Sequence, residues 1–406
     1  MKTLWRKAWR LSPRTAAGRL PATFAQSKVL SLRIAQIAPL YERVPPKLYG
    51  GTERIVSYLT EELVHQGHDV TLFASGDSKT SAKLVPCCEM ALRLNPSVRD
   101  ALPYHMIMLE QIRRRVDDFD ILHFHIDILH APLIGDISDR TLTTQHGRLD
   151  LPDLAPFYAV FGKLPLVAVS SAQHSYLRHA NWVGTVHHGI PRDLLPFRPS
   201  PAGGYLAFLG RIAPEKRPDH AIEIAVRSGM PLKIAAKVDR VDQAYWESEI
   251  RPMIEVHPTV EFIGEIGEND KADFLAGAEA LLFPVDWPEP FGLVMIEAMA
   301  CGTPVIAFRR GSVPEVLEDG TSGFIVDTLE QAVAAVPRIT QLDRAKVRAS
   351  FERRFTAERM AGDYLKIYEL AASSETTQAP RVRGREKSLH AVPGLAVELA
   401  PASAEP

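Results

Sequence analysis

After residue 30 the chain alternates short apolar runs with segments of helical periodicity, breaks at a Pro- and Gly-rich stretch, and then starts the same alternation again. Parallel strands need a long connection, and a crossing helix is the usual one. The alternation therefore predicts a parallel sheet with helices on both faces, built twice. In the first round the spacing predicts strands over residues 32–38, 69–74, 121–126, 142–145 and 166–170. It also predicts a helix over 52–66 with Ile55, Leu59 and Leu63 on one face and Gly67 as its stop. Pro191, Pro196, Pro199, Pro201 and the pair Gly203-Gly204 mark a linker. The second round predicts strands over 205–209, 232–236, 260–263, 280–283 and 304–307, with helices near 218–228, 243–256, 269–276 and 291–300. Ligands of such sheets lie at the carboxyl ends of the strands. The expected fold is α/β, with two doubly wound domains facing across a cleft that holds the site.

At 406 residues the chain is too long for one ordinary core, and a composition 46% apolar and 24% charged is that of a globular protein. No stretch approaches the eighteen consecutive apolar residues of a spanning helix. Residues 1–30 hold Lys2, Arg6, Lys7, Arg10, Arg14, Arg19 and Lys28 and no acid, so the formal −2 of the whole less these seven leaves −9 on the remainder. An acidic body argues against nucleic-acid binding. The basic leader lacks the continuous apolar core of a secretory signal. It reads as a disordered arm or a misassigned start ahead of a membrane role, and leaves peripheral contact with the inner face of the membrane open. Cys87, Cys88 and Cys301 make no disulfide framework and lack zinc spacing, which suits a cytoplasmic protein. From residue 373 the composition turns to Ser, Thr, Pro, Arg and Glu, an expected disordered tail.

The chemistry concentrates in Pro288-Glu289-Pro290-Phe291-Gly292-Leu293, which runs on to Glu297 and Gly302. No breaker separates Pro290 from Gly302, and Leu293, Ile296 and Ala300 share a face, so a buried helix is expected over 291–300. Its first-turn amides, from Phe291, Gly292 and Leu293, would sit at the positive end of the helix dipole, where a phosphate is held without a charged side chain. Glu289 and Glu297 then reach groups on either side of that phosphate. In isolation such a pair is more often one solvent-facing residue and one partner of the helix dipole. Upstream, Gly210-Arg211-Ile212-Ala213-Pro214-Glu215-Lys216-Arg217 brings Arg211 and Lys216 to a strand's carboxyl end, where cations stabilise charge growing on a departing diphosphate. Alone, such residues are usually surface residues. Gly50-Gly51-Thr52-Glu53 lets a ligand approach the backbone at the first strand-to-helix turn, but it is not G-x-G-x-x-G, so dinucleotide binding is unsupported. His123, His125 and Asp127 alternate along one strand face; they read as lining of an acceptor cleft ahead of a metal site.

The Glu289 to Glu297 run resembles the Glu-x7-Glu signature of glycosyltransferase family 4, retaining nucleotide-sugar-dependent transferases with two Rossmann-like halves, the GT-B fold. The resemblance implies that Glu289 contacts hydroxyls of the transferred sugar and Glu297 the ribose. It further implies that Arg211 and Lys216 clamp the diphosphate, that Gly51 lends it an amide, that His146 in Thr144-Gln145-His146-Gly147 faces the donor sugar, and that Ile266 reads the base through its backbone. It covers 31–371, is strongest over 210–327, and is similar in its first half to the branch near the avilamycin-type transferases. It departs from the common pattern at Gly311-Ser312-Val313, where many members carry a double glycine, and at Trp287-Pro288.

The implied domains are a basic arm 1–30, an acceptor domain 31–195, a linker 196–204, a nucleotide-sugar domain 205–352, a helix 353–372 crossing back to the first domain, and a tail 373–406. The implied activity is transfer from a nucleoside diphosphate sugar, a UDP-sugar, to a hydroxyl acceptor (a saccharide, lipid-linked or small molecule), with retention and with neither metal nor further cofactor. A nucleotide-sugar epimerase on the same fold and a non-catalytic sugar-nucleotide-binding protein are the rival readings. A glycosidase is set aside because eight helical residues rise about 12 Å, beyond the carboxylate spacing of such enzymes.

Overall fold

The computed structural model describes residues 31–48 and 50–375, so the expectations for the basic arm and for residues 376–406 lie outside the described residues. The apolar runs pair into two wholly parallel sheets. The first holds β1 (Arg33–Ile37), β2 (Asp69–Ser75), β3 (Lys83–Cys88), β4 (Ile121–Phe124), β5 (Thr141–Gln145), β6 (Leu166–Ala168) and β7 (Trp182–Thr185), in the order β3-β2-β1-β4-β5-β6-β7. The second holds β8 (Leu206–Ile212), β9 (Leu232–Val238), β10 (Val260–Gly264), β11 (Ala280–Phe283), β12 (Val305–Phe308) and β13 (Gly323–Val326), in the order β10-β9-β8-β11-β12-β13. The order reverses at β1/β4 and at β8/β11, the points where an open α/β sheet leaves a crevice for a ligand.

Helix Gly51–His65 buries Ile55, Leu59 and Leu63, as its spacing requires. These residues share a cluster with Ile34, Val167 and with Met360, Tyr364 and Tyr368 of the helix Ala357–Glu375. Side chains of this size contribute about 2 kcal/mol each when fully buried. They hold the last described helix on the first sheet, not on the second sheet that precedes it in the chain.

Four expectations are corrected. The helix expected over 291–300 begins at Leu293, because Gly292 adopts the left-handed region (φ 78°, ψ 67°). A Cβ at Gly292 would stand 2.7 Å from Met295 Cε and 2.9 Å from Phe283 Cζ, so the turn depends on glycine there. β8 continues past Leu209 because Arg211 and Ile212 pair with Lys237 and Val238 of β9, which places Arg211 on a strand, not in a loop. The helix expected over 243–256 is broken into Gln243–Tyr245 and Arg251–Val256 by a π-helical turn at Trp246–Ile250; Pro252, just beyond, has no N–H to continue the regular pattern. Finally, β4 stops at Phe124 and Asp127 has a left-handed φ of 53°, so Asp127 does not continue a strand face with His123 and His125.

Candidate active site

A cavity of 910 Å³ lies at the carboxyl ends of both sheets, beside the two points where strand order reverses. Pro39, Asp127 and His146, which follow β1, β4 and β5, line it from one side; Arg211, Lys237 and Phe283 of β8, β9 and β11 line it from the other. Gly51, His146, Arg211, Lys216, Ile266, Glu289, Phe291, Gly292, Leu293 and Glu297 line this one cavity, as do His125 and Asp127, whereas His123, expected beside them, does not and lies fully buried against Tyr368 and Thr144.

The segment carrying Glu289 is fixed carbonyl by carbonyl. Ser312 N–H donates to the carbonyl of Glu289 at 3.1 Å and Ser312 Oγ to that of Phe291 at 2.8 Å. Ser170, just past β6 of the first sheet, donates from Oγ to the carbonyl of Pro290 at 2.6 Å. Gly311 (φ 48°) permits this approach: a Cβ there would lie 2.3 Å from Glu289 O and 2.6 Å from Glu289 N. Gly311→Ala is therefore expected to cost about 2 kcal/mol by denaturant titration, whereas Gly320→Ala, at φ 72° with nothing within 4 Å of the added carbon, costs about 1 kcal/mol. Equal losses would mean that Gly311 is needed for its backbone angle alone.

The Glu289 carboxylate accepts from Trp287 Nε1 at 2.7 Å and is ion-paired with Lys216, whose ammonium also lies 5.0 Å from the centre of the Trp287 ring. Arg148, from the first half, stacks on that ring at 5.3 Å. Glu297 is buried and accepts from Lys271 Nζ at 2.7 Å; burial lowers the pKa of Lys271 against the pull of that carboxylate. Arg211 stands among three acids, donating to Glu215 at 2.6 Å with Asp242 and Asp239 at 3.5 Å and 3.7 Å. The two glutamates of the motif thus rest on different lysines. Only the four steps from Leu293 to Glu297 are helical, so the 12 Å rise expected between them does not hold.

The shortened helix leaves a run of unpaired amides at the cavity. The amides of Phe291, Gly292, Leu293 and Val294 have no acceptor among the described residues, and the left-handed turn at Gly292 strings them together as a concave run of donors. The start of helix Gly51–His65 approaches the same place from the first sheet: a Cβ on Gly51 would meet only Leu293 Cδ1, at 3.6 Å. Packing within the protein does not demand a glycine at that position, whereas a ligand lying against the backbone would. Two helix N-termini, one from each half, converge on the cavity.

His146 follows β5, and its Nε2 is 2.8 Å from His125 Nδ1. Its ring stacks on that of His188 with centroids 5.1 Å apart, and burial holds its pKa down at about 3, so it is neutral. His188 is not singled out by the sequence, because the adjacent pair His187-His188 carries no motif, and Ser312 is noted there only as part of a departure from the common double glycine. His123 and His125 have both ring nitrogens engaged, to Tyr368 and Thr144 and to Gln36 and His146, which leaves neither free to ligate a metal. Among the described residues no group of three or more His, Cys, Asp or Glu side chains is arranged to hold a metal ion. Asp127 is exposed to the cavity and has no ion pair among the described residues, and desolvation by the surrounding protein raises the pKa of its carboxyl.

Comparison with known proteins decides the family. The model for glycosyltransferase family 4 matches residues 49–164, and that for glycosyl transferases group 1 matches residues 200–354. The chain belongs to glycosyltransferase family 4. This glycosyltransferase is 27% identical over 379 residues to a phosphatidyl-myo-inositol mannosyltransferase of Mycobacterium leprae, covering 84% of this chain and 98% of the relative. It is 25% identical to an N-acetyl-alpha-D-glucosaminyl L-malate synthase of Bacillus anthracis, covering 79% and 93%. Among solved structures it shares its fold with sucrose-phosphate synthase of Thermosynechococcus elongatus (TM-score 0.70, 19% identity, 84% and 100% covered) and with AviGT4, a glycosyltransferase involved in avilamycin A biosynthesis (0.61, 21%, 84% and 98%). It also shares the fold of Anabaena HepE, solved with UDP and glucose (0.62, 16%, 86% and 100%). Among the described residues of this family 4 glycosyltransferase, no helix is long and apolar enough to cross a membrane.

Proposed function

We propose that the chain transfers a glycosyl group from a UDP-sugar to a hydroxyl acceptor with retention at the anomeric carbon and without a bound metal. The observation that carries the reading is the convergence of two helix N-termini, with their unpaired amides, on a cavity whose cations are poised beside carboxylates. A diphosphate takes the amides of Phe291 to Val294 and of Gly51 and draws Lys216 from Glu289, while Arg211 supports it from β8. The exchange frees Glu289 to accept from hydroxyls of the sugar, so donor binding itself prepares the sugar's contact. Glu297, buried under Lys271, holds the ribose, and the backbone at Ile266 borders the base. As the bond from the anomeric carbon to phosphate oxygen breaks, the acceptor oxygen attacks from the same face and its proton passes to the departing phosphate. The products are the glycosylated acceptor and UDP. What supports uridine is the fold shared with HepE, which holds UDP and glucose; what supports a hydroxyl acceptor is the inositol lipid and the malate in the relatives' names. Asp127, which lines the cavity, accepts from an acceptor hydroxyl in this reading. The free thiols Cys87, Cys88 and Cys301 suit the cytoplasm, where the chain is able to work on a soluble acceptor or at the inner face of the membrane.

A thermal-shift titration tests the reading. UDP at a hundredfold over its Kd adds about 2.7 kcal/mol to the folded state, and Lys216→Ala weakens its binding by about tenfold or more. A melting temperature unmoved by any nucleoside diphosphate or its sugars sinks the proposal. The ribose role is tested with Glu297→Gln, since alanine would leave the buried Lys271 without a partner. Equal UDP affinity in that variant removes the role.

A further inference from the structure

Behind His146 runs a buried hydrogen-bonded array that the transfer chemistry does not itself require. Tyr368 Oη, on the last described helix, lies 2.7 Å from His123 Nδ1 and accepts from Gln36 Nε2 at 3.1 Å. The amide oxygen of Gln36, on β1, is 2.8 Å from His125 Nε2, and His125 Nδ1 is 2.8 Å from His146 Nε2. Gln36, His125 and Tyr368 are all buried.

The direction of each bond follows from proton counting. An amide oxygen only accepts, so His125 must donate from Nε2. Burial among other rings lowers the pKa of His125 well below its ordinary value, which leaves one proton on that ring. Its Nδ1 is then an acceptor, and His146 has to supply the N–H from Nε2. His146 is neutral as well, so its second nitrogen, Nδ1, which has no partner among the described residues, carries a lone pair. The far end of the array is consistent: Gln36 Nε2 donates to Tyr368 Oη while the Gln36 oxygen faces His125, and the tyrosine's own proton is then left for His123 Nδ1.

We propose that Gln36 and His125 are positioning residues that fix His146 as its Nε2–H tautomer, so that a bare Nδ1 serves the cavity and requires a hydrogen-bond donor, a sugar hydroxyl, opposite it. The tautomer rests on the array alone; the hydroxyl opposite it rests on the nucleotide-sugar reading above. The array also makes His146 answer to the packing of the last described helix, through Tyr368.

The test is a two-bond proton–nitrogen correlation spectrum of the full chain labelled with 15N in its histidine rings, with the His146 signals assigned by their loss in His146→Gln. The expected wild-type pattern is Nε2–H. In Gln36→Leu the His146 signals shift toward a mixture of tautomers, and kcat/KM for transfer falls about tenfold, the worth of one misdirected hydrogen bond. Gln36→Glu, which keeps an acceptor for His125 Nε2, restores the wild-type pattern, a rescue that a purely structural role would not produce. An Nδ1–H pattern in the wild type, or a folded Gln36→Leu with an unchanged His146 pattern, overturns the proposal. If the Gln36 variants do not fold, the wild-type spectrum decides. Absence of UDP-sugar binding by calorimetry alongside an intact Nε2–H pattern would remove the transfer reading and leave the tautomer standing.

Discussion

Glu289→Gln is expected to slow glycosyl transfer by about a hundred- to a thousandfold while tightening the binding of UDP. The two effects have opposite signs because the proposed function gives Glu289 two partners at different stages. In the protein as described, its carboxylate neutralises Lys216 and accepts from Trp287 Nε1 at 2.7 Å. A diphosphate must compete with that carboxylate for Lys216. Glutamine has the same length and retains an acceptor for Trp287, but it carries no charge, so Lys216 becomes fully available to phosphate and UDP gains affinity. Transfer then suffers at the next stage, where a charge-assisted hydrogen bond from the sugar to a carboxylate is replaced by a neutral one. Calorimetry with UDP and initial rates with an acceptor separate the effects. A variant that loses UDP affinity in proportion to its rate would place Glu289 on the diphosphate side of the site. A variant with unchanged rate would remove it from the chemistry.

The sequence was most informative where one residue's neighbours in the chain are also its neighbours in space. The central strands β1, β4, β8 and β11 are short apolar runs closed by polar or proline residues, and their pattern suffices to find them. The edges β3, β7 and β13 were not found: β3 includes Pro86, β7 includes Gly184, both are half-exposed, and β13 is a four-residue strand opened by Gly323. An edge strand pairs on one side only and tolerates such residues, so it leaves a weak mark. The residues that line the cavity were legible because they fall in short motifs at strand ends. Their supports were not. Ser170, Ser312 and Gly311 converge on the Glu289 segment from 119, 23 and 22 positions away along the chain, by difference of residue number. The start of the 293–300 helix was misplaced for a related reason: Gly292 turns left-handed to clear Phe283 and Met295, a contact that no local pattern encodes. Gln36 sits inside a strand whose every other residue is aliphatic or solvent-facing, and only the approach of Tyr368 and His125 explains a buried glutamine there.

Glu53→Gln is expected to stabilise the protein at pH 8 and to leave it unchanged near pH 4.5. Glu53 is the third residue of the helix Gly51–His65 and is buried at the edge of the cavity. Burial pushes its pKa up to about 7; the nearby Glu42 adds to the rise, while its own backbone amide and Arg93, which is bound to Glu42 at 3.1 Å, oppose it. Because the folded value lies above the unfolded one, the folded state holds the proton more tightly. The contribution is full below the unfolded value of 4.5 and is lost as pH rises through about 7. At pH 8 the loss amounts to about 3 kcal/mol. Glutamine cannot ionise, so its melting temperature at pH 8 should exceed the wild type's by about 5 °C, and the two curves should meet at low pH. A difference that is constant across pH would show that Glu53 acts by packing, not by charge. The same ionisation bears on the proposed function, since it sets a negative charge two residues from Gly51, where the proposed diphosphate contact lies. Wild-type affinity for UDP should therefore decline as pH rises through 7, and that of Glu53→Gln should stay level over the same interval.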